Sequence, residues 1–204
     1  MDILISAIVQ VLAFSIVPFI WWLVTARKKH SFFSWIGLKK PIIKGSRVKL
    51  ICIIFAVSVS YILLMAVVMK QLLGGIDTAI TQFEGRGWKA LTNILIYAVI
   101  QTSLSEEILF RGFIGKRLIS KFGFAVGNTV QATLFGLLHG LPFGFATGNA
   151  MVTILLTLIP GAIGWIEGWL NERYASGSIV PGWIMHAIMN TLSALSSALR
   201  VVLY

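Results

Sequence analysis

Apolar residues gather in six long runs, roughly 3–25, 50–69, 90–118, 122–141, 149–170 and 179–203, with short polar stretches between them. A helix needs about 20 mainly apolar residues to cross a bilayer, and each run meets or approaches that length. Lipid offers an open backbone no hydrogen-bond partner, so every run is expected to be helical. The pattern predicts an all-α polytopic membrane bundle of about six transmembrane helices. It is one domain over 1–204, with two N-terminal helices and their loops in 1–89 and a polar-bearing core in 90–203.

Turn signals punctuate the runs at Gly74-Gly75 and Gly85-Arg86-Gly87. Segment 76–88 reads as a short interfacial or loop piece. Pro160-Gly161 predicts a kink inside the fifth run. Gly177 and Pro181 bracket the start of the last run, with Pro181 in its first turn, where proline is tolerated. No internal repeat or low-complexity tract is found.

Composition agrees with the pattern. Hydrophobic residues make up 57% of the 204 and charged residues 12%, against about 25% charged in an ordinary soluble domain. The net charge of +10 first suggests nucleic acid, but no nucleic-acid motif is present, and the basic residues sit in short loops as orientation signals do. The stretch between the first two runs holds Arg27, Lys28, Lys29, Lys39, Lys40, Lys44, Arg47 and Lys49 and no acid. The positive-inside rule puts this loop, 27–49, in the cytoplasm. Alternation then places Lys116, Arg117, Lys121 and Arg173 inside as well, Lys70, Arg86 and Lys89 outside, and both termini outside. The basic loop could also touch anionic membrane lipid. The single cysteine, Cys52, rules out an internal disulfide. The first apolar run is too long for a signal-peptide core and lacks a basic start and a cleavage site, so no cleavable leader is expected.

Charges in apolar runs cost roughly 2.5 to 3.5 kcal/mol each at a helix centre, so those that occur mark candidate sites. The third run carries Glu106, Glu107 and Arg111. Residues four apart share a helix face, so Glu107 can pair with Arg111, while Glu106 points about 100° away and has no local cation. A salt-bridged structural role for Glu107 and Arg111 is the simpler alternative. His139 ends the apolar stretch Phe135-Gly-Leu-Leu-His139, where a lone histidine could serve packing alone. An antiparallel hairpin of the third and fourth runs, turning near residue 120, would bring His139 to a depth similar to that of Glu106. In the last run His186 and Asn190 are four apart and flanked by Ile184, Met185, Ile188 and Met189. A histidine and an amide therefore share one face of an otherwise apolar helix.

Three motifs in series, Glu106-Glu107-x-x-x-Arg111, Phe135-x-x-x-His139 and His186-x-x-x-Asn190, resemble those of the CAAX protease and bacteriocin-processing (CPBP) intramembrane proteases. That family includes the type II CAAX prenyl endopeptidases and the bacterial Abi proteins. The resemblance spans about residues 90–200, and FRGFIGKRL and GSIVPGWIMHAIMN belong to it. It implies a CAAX-protease-like catalytic core in 90–203 and an endopeptidase cutting a membrane-associated peptide or protein. Carried over, Glu106 is the general base and His139 orients and activates the water. His186 and Asn190 form the oxyanion site, and Glu107, Arg111 and Phe135 support the motifs.

The residues suit this chemistry. No serine or cysteine nucleophile stands beside a base, so attack by water is natural. A carboxylate in a low-dielectric cavity suits a base that must later return its proton, and donors aimed at the developing oxyanion complete the set. No cofactor is the preferred expectation, because Asn190 is a poor zinc ligand. The other arrangement is zinc held by Glu106, His139 and His186 with an open position for water. Two other roles stand against catalysis: a non-catalytic scaffold or immunity protein of the same fold, and a transporter with a proton-relay carboxylate. Repeated halves with paired broken helices, expected of the transporter, are absent.

Overall fold

The computed structural model describes residues 2–72 and 76–199. Gly74-Gly75 and positions 200–203 of the last apolar run lie outside them. Among the described residues every regular element is helical, as the apolar pattern predicts. We label the helices α1 (Ile3–Thr25), α2 (Phe32–Ile36), α3 (Arg47–Leu72), α4 (91–122), α5 (Phe124–Thr147), α6 (Ala150–Tyr174) and α7 (Val180–Ala198). Segment 76–88 carries the short 3₁₀ turn Thr81–Phe83 and the start of a second, Gly87–Ala90.

Helix α4 is the unusual element. It begins as α over Leu91–Leu95, passes through two π-helical stretches, Ile96–Leu104 and Glu107–Gly115, and returns to α over Lys116–Phe122. π geometry is rare and gathers at functional positions. Ser105 and Glu106 sit between the two stretches. The hairpin to α5 turns at Gly123, three residues later than expected, with φ of 81° that only glycine adopts without strain. Helix α5 also runs on to Thr147, through Pro142, where a loop was expected.

Among the described residues three helices, α1, α3 and α6, are long and apolar enough to cross a membrane. The sequence pattern gave six such runs. The other three, α4, α5 and α7, carry Glu106, Glu107, Arg111, Asn128, Gln131, His139, His186 and Asn190, which dilute their hydropathy.

The chain divides into two compact units. The first comprises 1–13, 51–105 and 183–204. Its core gathers Phe83, Ala90, Ile94, Tyr97, Ala98, Ala194 and Ala198, with the Phe83 and Tyr97 rings 5.4 Å apart. Trp183 Nε1 donates to the Val99 carbonyl at 2.8 Å, tying α7 to α4. Gln10 of α1 donates to Ser105 at 3.2 Å and accepts from Gln101 at 3.2 Å, so α1 joins the same face through polar contacts.

The second unit comprises 14–50 and 106–182. Here α5 packs along α6 through glycines. Gly136, Gly140 and Gly144 recur every fourth residue of α5, and a side chain at any of them would overlap Thr153 or Thr157 of α6. Small residues at such spacing let helices approach closely in lipid, where apolar burial gives little drive for association. Gly112 of α4 likewise makes room for α2, since a Cβ there would lie 2.8 Å from the Ile36 carbonyl oxygen. The basic segment after α2 is laced to the turn between α6 and α7. Ile179 N–H donates to Gly37 O at 2.9 Å, Ser178 Oγ to Lys39 O at 2.6 Å and Lys44 N–H to Tyr174 O at 2.7 Å. Lys116 Nζ donates to Glu172 and to Gly177 O, each at 2.7 Å.

Candidate active site

The α4–α5 hairpin fixes the level of the first two motifs. Gly127 abuts Leu118 and Ile119, Gly115 abuts Gln131, and the Arg111 guanidinium lies 4.1 Å over the Phe135 ring. Each step of four residues along one helix matches a step of four back along the other. His139 follows one turn beyond Phe135 on α5.

Within this unit Glu107 is fully buried and Arg111 nearly so. Arg111 Nη1 lies 3.2 Å from Glu107 Oε1, the pairing the sequence spacing anticipates. Arg111 Nη2 also pairs with Glu167 of α6, itself fully buried. Asn171 donates to Glu107 Oε2 at 3.4 Å and accepts from the Gly182 N–H at 2.9 Å. A side chain at Gly182 would press on both Asn171 and Glu107. So Glu107 is held by an arginine on its own helix and an amide at the end of α6. Glu106, one residue earlier, stays partly exposed.

Phe135 has a clear supporting role. Its ring lies between the Arg111 guanidinium, at 4.1 Å, and the His139 imidazole, whose centroid is 4.4 Å away, with Phe110 edge-on at 5.1 Å. His139 Nδ1 sits 2.9 Å from the Phe135 carbonyl oxygen. A carbonyl only accepts, so Nδ1 carries the proton and neutral His139 keeps its lone pair on Nε2.

His186 and Asn190 belong to the first unit and occupy one face of α7. His186 is buried, and Asn190 is half-buried. Asn190 Nδ2 donates to Thr102 Oγ1 at 2.9 Å and to Ser103 Oγ at 3.1 Å, both in the first π stretch of α4.

Sequence reasoning missed Glu167, Asn171, Thr102 and Ser103. Glu167 gave the same signal as Glu106, an acid inside an apolar run, and could have been found. The other three are ordinary polar residues whose role depends on which helix they face.

No curated protein and no solved structure matches the chain. Residues 88–192 match the family model described as Type II CAAX prenyl endopeptidase Rce1-like. That stretch takes in half of the chain and all three motifs, including the Glu107–Arg111 pair and the Phe135–His139 contact. The chain thus belongs to the Type II CAAX prenyl endopeptidase Rce1-like family, whose helical membrane bundle and protease character fit the helices and residues described above.

Proposed function

We propose that this protein is an intramembrane endopeptidase that hydrolyses a peptide bond of a membrane-associated peptide or protein by activated water. Glu106 takes a proton from the water as it attacks the scissile carbonyl carbon, then passes that proton to the amine that leaves. His139 accepts a hydrogen bond from the same water through Nε2. His186 and Asn190 serve the developing oxyanion side of the reaction.

The division of labour between the two adjacent glutamates carries this reading. Glu107 is sequestered with Arg111 and Asn171. Glu106 is partly exposed, and the ring orientation of His139 is fixed by the Phe135 carbonyl. The family match supports protease activity in general.

Charge supports the orientation. The segment with Lys39, Lys40 and Lys44, the helical residues Lys116 and Arg117 of α4, and Glu172 and Arg173 at the end of α6 meet at one end of the second unit. We place them in the cytoplasm, with both termini outside.

One observation favours a second arrangement of the same residues. With Nδ1 protonated, His139 offers the Nε2 lone pair that a metal requires. Zinc held by Glu106, His139 and His186 would supply a water acidic enough to ionise near neutral pH.

The test uses the purified full-length protein in micelles with two probes, a farnesylated peptide ending in a CAAX sequence and the same peptide without its prenyl group. Wild type is expected to cleave at least one of them. Glu106→Gln is expected to lower the rate by about a hundredfold or more, the scale of a lost general base, with unchanged helical content. Full activity in Glu106→Gln would leave the scaffold role. Loss of activity on exhaustive chelation, restored by zinc, would select the metal arrangement.

A further inference from the structure

In the second unit a run of aromatic rings ends under a cation. The Arg117 guanidinium lies 3.9 Å over the Trp35 ring. The Trp35 and Phe113 rings are 6.0 Å apart, and Phe113 meets Trp21 edge-on at 5.8 Å. Phe113 sits one turn before Arg117 on α4, and Trp21 one turn before the end of α1. The run therefore leads from the hairpin end of α4 into the apolar part of α1. None of the four is fully enclosed: Arg117, Trp35 and Phe113 are half-buried and Trp21 is exposed.

Arg117 has basic company. Lys39 and Arg117 both lie close enough to repel the Lys116 ammonium. Stretches 26–50, 116–124 and 170–179 hold one acid between them, Glu172, and Lys116 binds it at 2.7 Å. Among the described residues Lys39 and Arg117 make no ion pair. The backbone that carries Lys39 is fixed: its carbonyl accepts from Ser178 Oγ at 2.6 Å and its N–H donates to Gly37 O at 2.9 Å. Two cations near Lys116 are thus held in place with an excess of charge that no described residue neutralises.

We infer that Lys39, Arg117 and the rings of Trp35, Phe113 and Trp21 form a binding site for one anionic phospholipid. The guanidinium fork, with one face on Trp35, offers its edge N–H groups to the lipid phosphate. Lys39 adds the second positive charge. The rings line the path of an acyl chain, and tryptophan is at home at the headgroup level. An apolar wall leading away from a cation suits a lipid and not a free phosphate. The charge excess selects an anionic headgroup over a zwitterionic one, whose ammonium would meet Arg117 and Lys39 as a like charge. The site uses none of the residues assigned to catalysis and does not rest on the protease reading.

The test is native mass spectrometry of the full-length protein in micelles. The probes are phosphatidylglycerol, phosphatidylcholine, soluble glycerol phosphate and a hexaglutamate peptide. Wild type is expected to hold one phosphatidylglycerol at least tenfold more tightly than phosphatidylcholine. A basic residue near a bilayer surface is worth about fivefold in binding an anionic lipid. The double variant Lys39→Gln, Arg117→Gln is therefore expected to lose about twenty-fivefold for phosphatidylglycerol and to hold the two lipids alike. Lys28→Gln with Lys49→Gln removes the same charge from exposed positions elsewhere in the basic stretch and is expected to keep the preference. Trp35→Leu is expected to cost about two- to fivefold. Lys39 is exposed, so Lys39→Gln alone, expected to cost about fivefold, decides the matter should the double variant not fold.

Equal retention of the two lipids by wild type overturns the site, as does wild-type affinity in Lys39→Gln. An equal loss in the two double variants would mean diffuse surface attraction and overturns it too. Glycerol phosphate that binds as tightly as phosphatidylglycerol would give the cations to a free phosphate. Hexaglutamate that displaces the lipid at equal concentration would give them to an acidic protein segment. Either result overturns the lipid assignment.

Discussion

Glu107 and Asn190 both sit in otherwise apolar helices, and each is tied by its side chain to a neighbouring helix, but by different physics. Around Glu107 the partners carry charge: one buried arginine serves two buried carboxylates and stacks on a phenylalanine ring, and an amide donates to Glu107. Around Asn190 the partners are neutral hydroxyls. Ionic contacts in a dry interior are strong, but each member depends on the others, because a charge left without its partner there is heavily penalised. Neutral hydrogen bonds in a membrane average only about 0.6 kcal/mol, so either partner can be lost with little damage to the fold. The ionic cluster is thus suited to fixing helices, and the neutral clamp to fixing the orientation of one side chain.

The largest expected effect comes from breaking the ionic cluster at its shared member. Arg111→Met keeps length and apolar bulk against Phe135 but strands Glu107 and Glu167 without their cation. Removing one partner of a buried ion pair costs about 3 to 5 kcal/mol, read by thermal or chemical denaturation in micelles. The triple variant Glu107→Gln, Arg111→Met, Glu167→Gln removes the charges together and is expected to recover more than half of that loss. A triple variant less stable than Arg111→Met alone would mean that the cluster is not held by charge balance.

Glu167→Gln is a gentler test of the same cluster. The amide keeps an acceptor for Arg111 Nη2 but withdraws one negative charge, so the cost is that of a charge-assisted hydrogen bond, about 1.5 to 3 kcal/mol. Arg111 keeps Glu107 in this variant. Activity is expected to fall together with stability and to return when the assay is cooled. Loss of activity at full stability would instead give Glu167 a direct part in the chemistry.

A third test asks whether α5 and α6 need their glycines as strongly as α4 and α6 need the ions. A Cβ at Gly136 would overlap backbone at Thr157, which cannot step aside as a flexible side chain can. Gly136→Val is expected to destabilise by about 1 to 3 kcal/mol through overpacking. Gly148→Ala lies on the same loop end but meets nothing within 4 Å, and its φ of 64° makes it a control for backbone strain alone.

The apolar runs and the charge-bearing motifs were readable because each obeys a strong local rule. A helix across lipid must be long and apolar, and a charge within it stands out. The Glu107–Arg111 pair followed from spacing on one helix. What the sequence hid was long-range or conformational. The π winding of α4 has no composition cue, so the Thr102 hydroxyl on an i−5 carbonyl could not be foreseen. The turn at Gly123, and not near residue 120, depended on one glycine adopting a positive φ. Asn171 and Ser103 look like ordinary polar residues until the helices that face them are known. Glu167 is different: an acid in an apolar run gave a sufficient signal, and only its partner lay out of reach, 56 residues away in sequence.

The smallest expected effect on stability comes from the neutral clamp. Thr102→Val is close to isosteric, and valine is at home in an apolar helix. The variant deletes one acceptor for Asn190 and one bifurcated bond to the Tyr97 and Ala98 carbonyls. Asn190 keeps Ser103 as one acceptor, and the amide proton that valine frees belongs to a side chain that is only half-buried. The expected loss is about 0.6 kcal/mol, and no more than about 1.7. Thr102→Val should therefore unfold close to wild type while its catalytic rate falls, whereas Arg111→Met should lose both together. A Thr102→Val protein as unstable as Arg111→Met would erase the distinction, because the hydroxyl would then be holding helices together and not only aiming an amide.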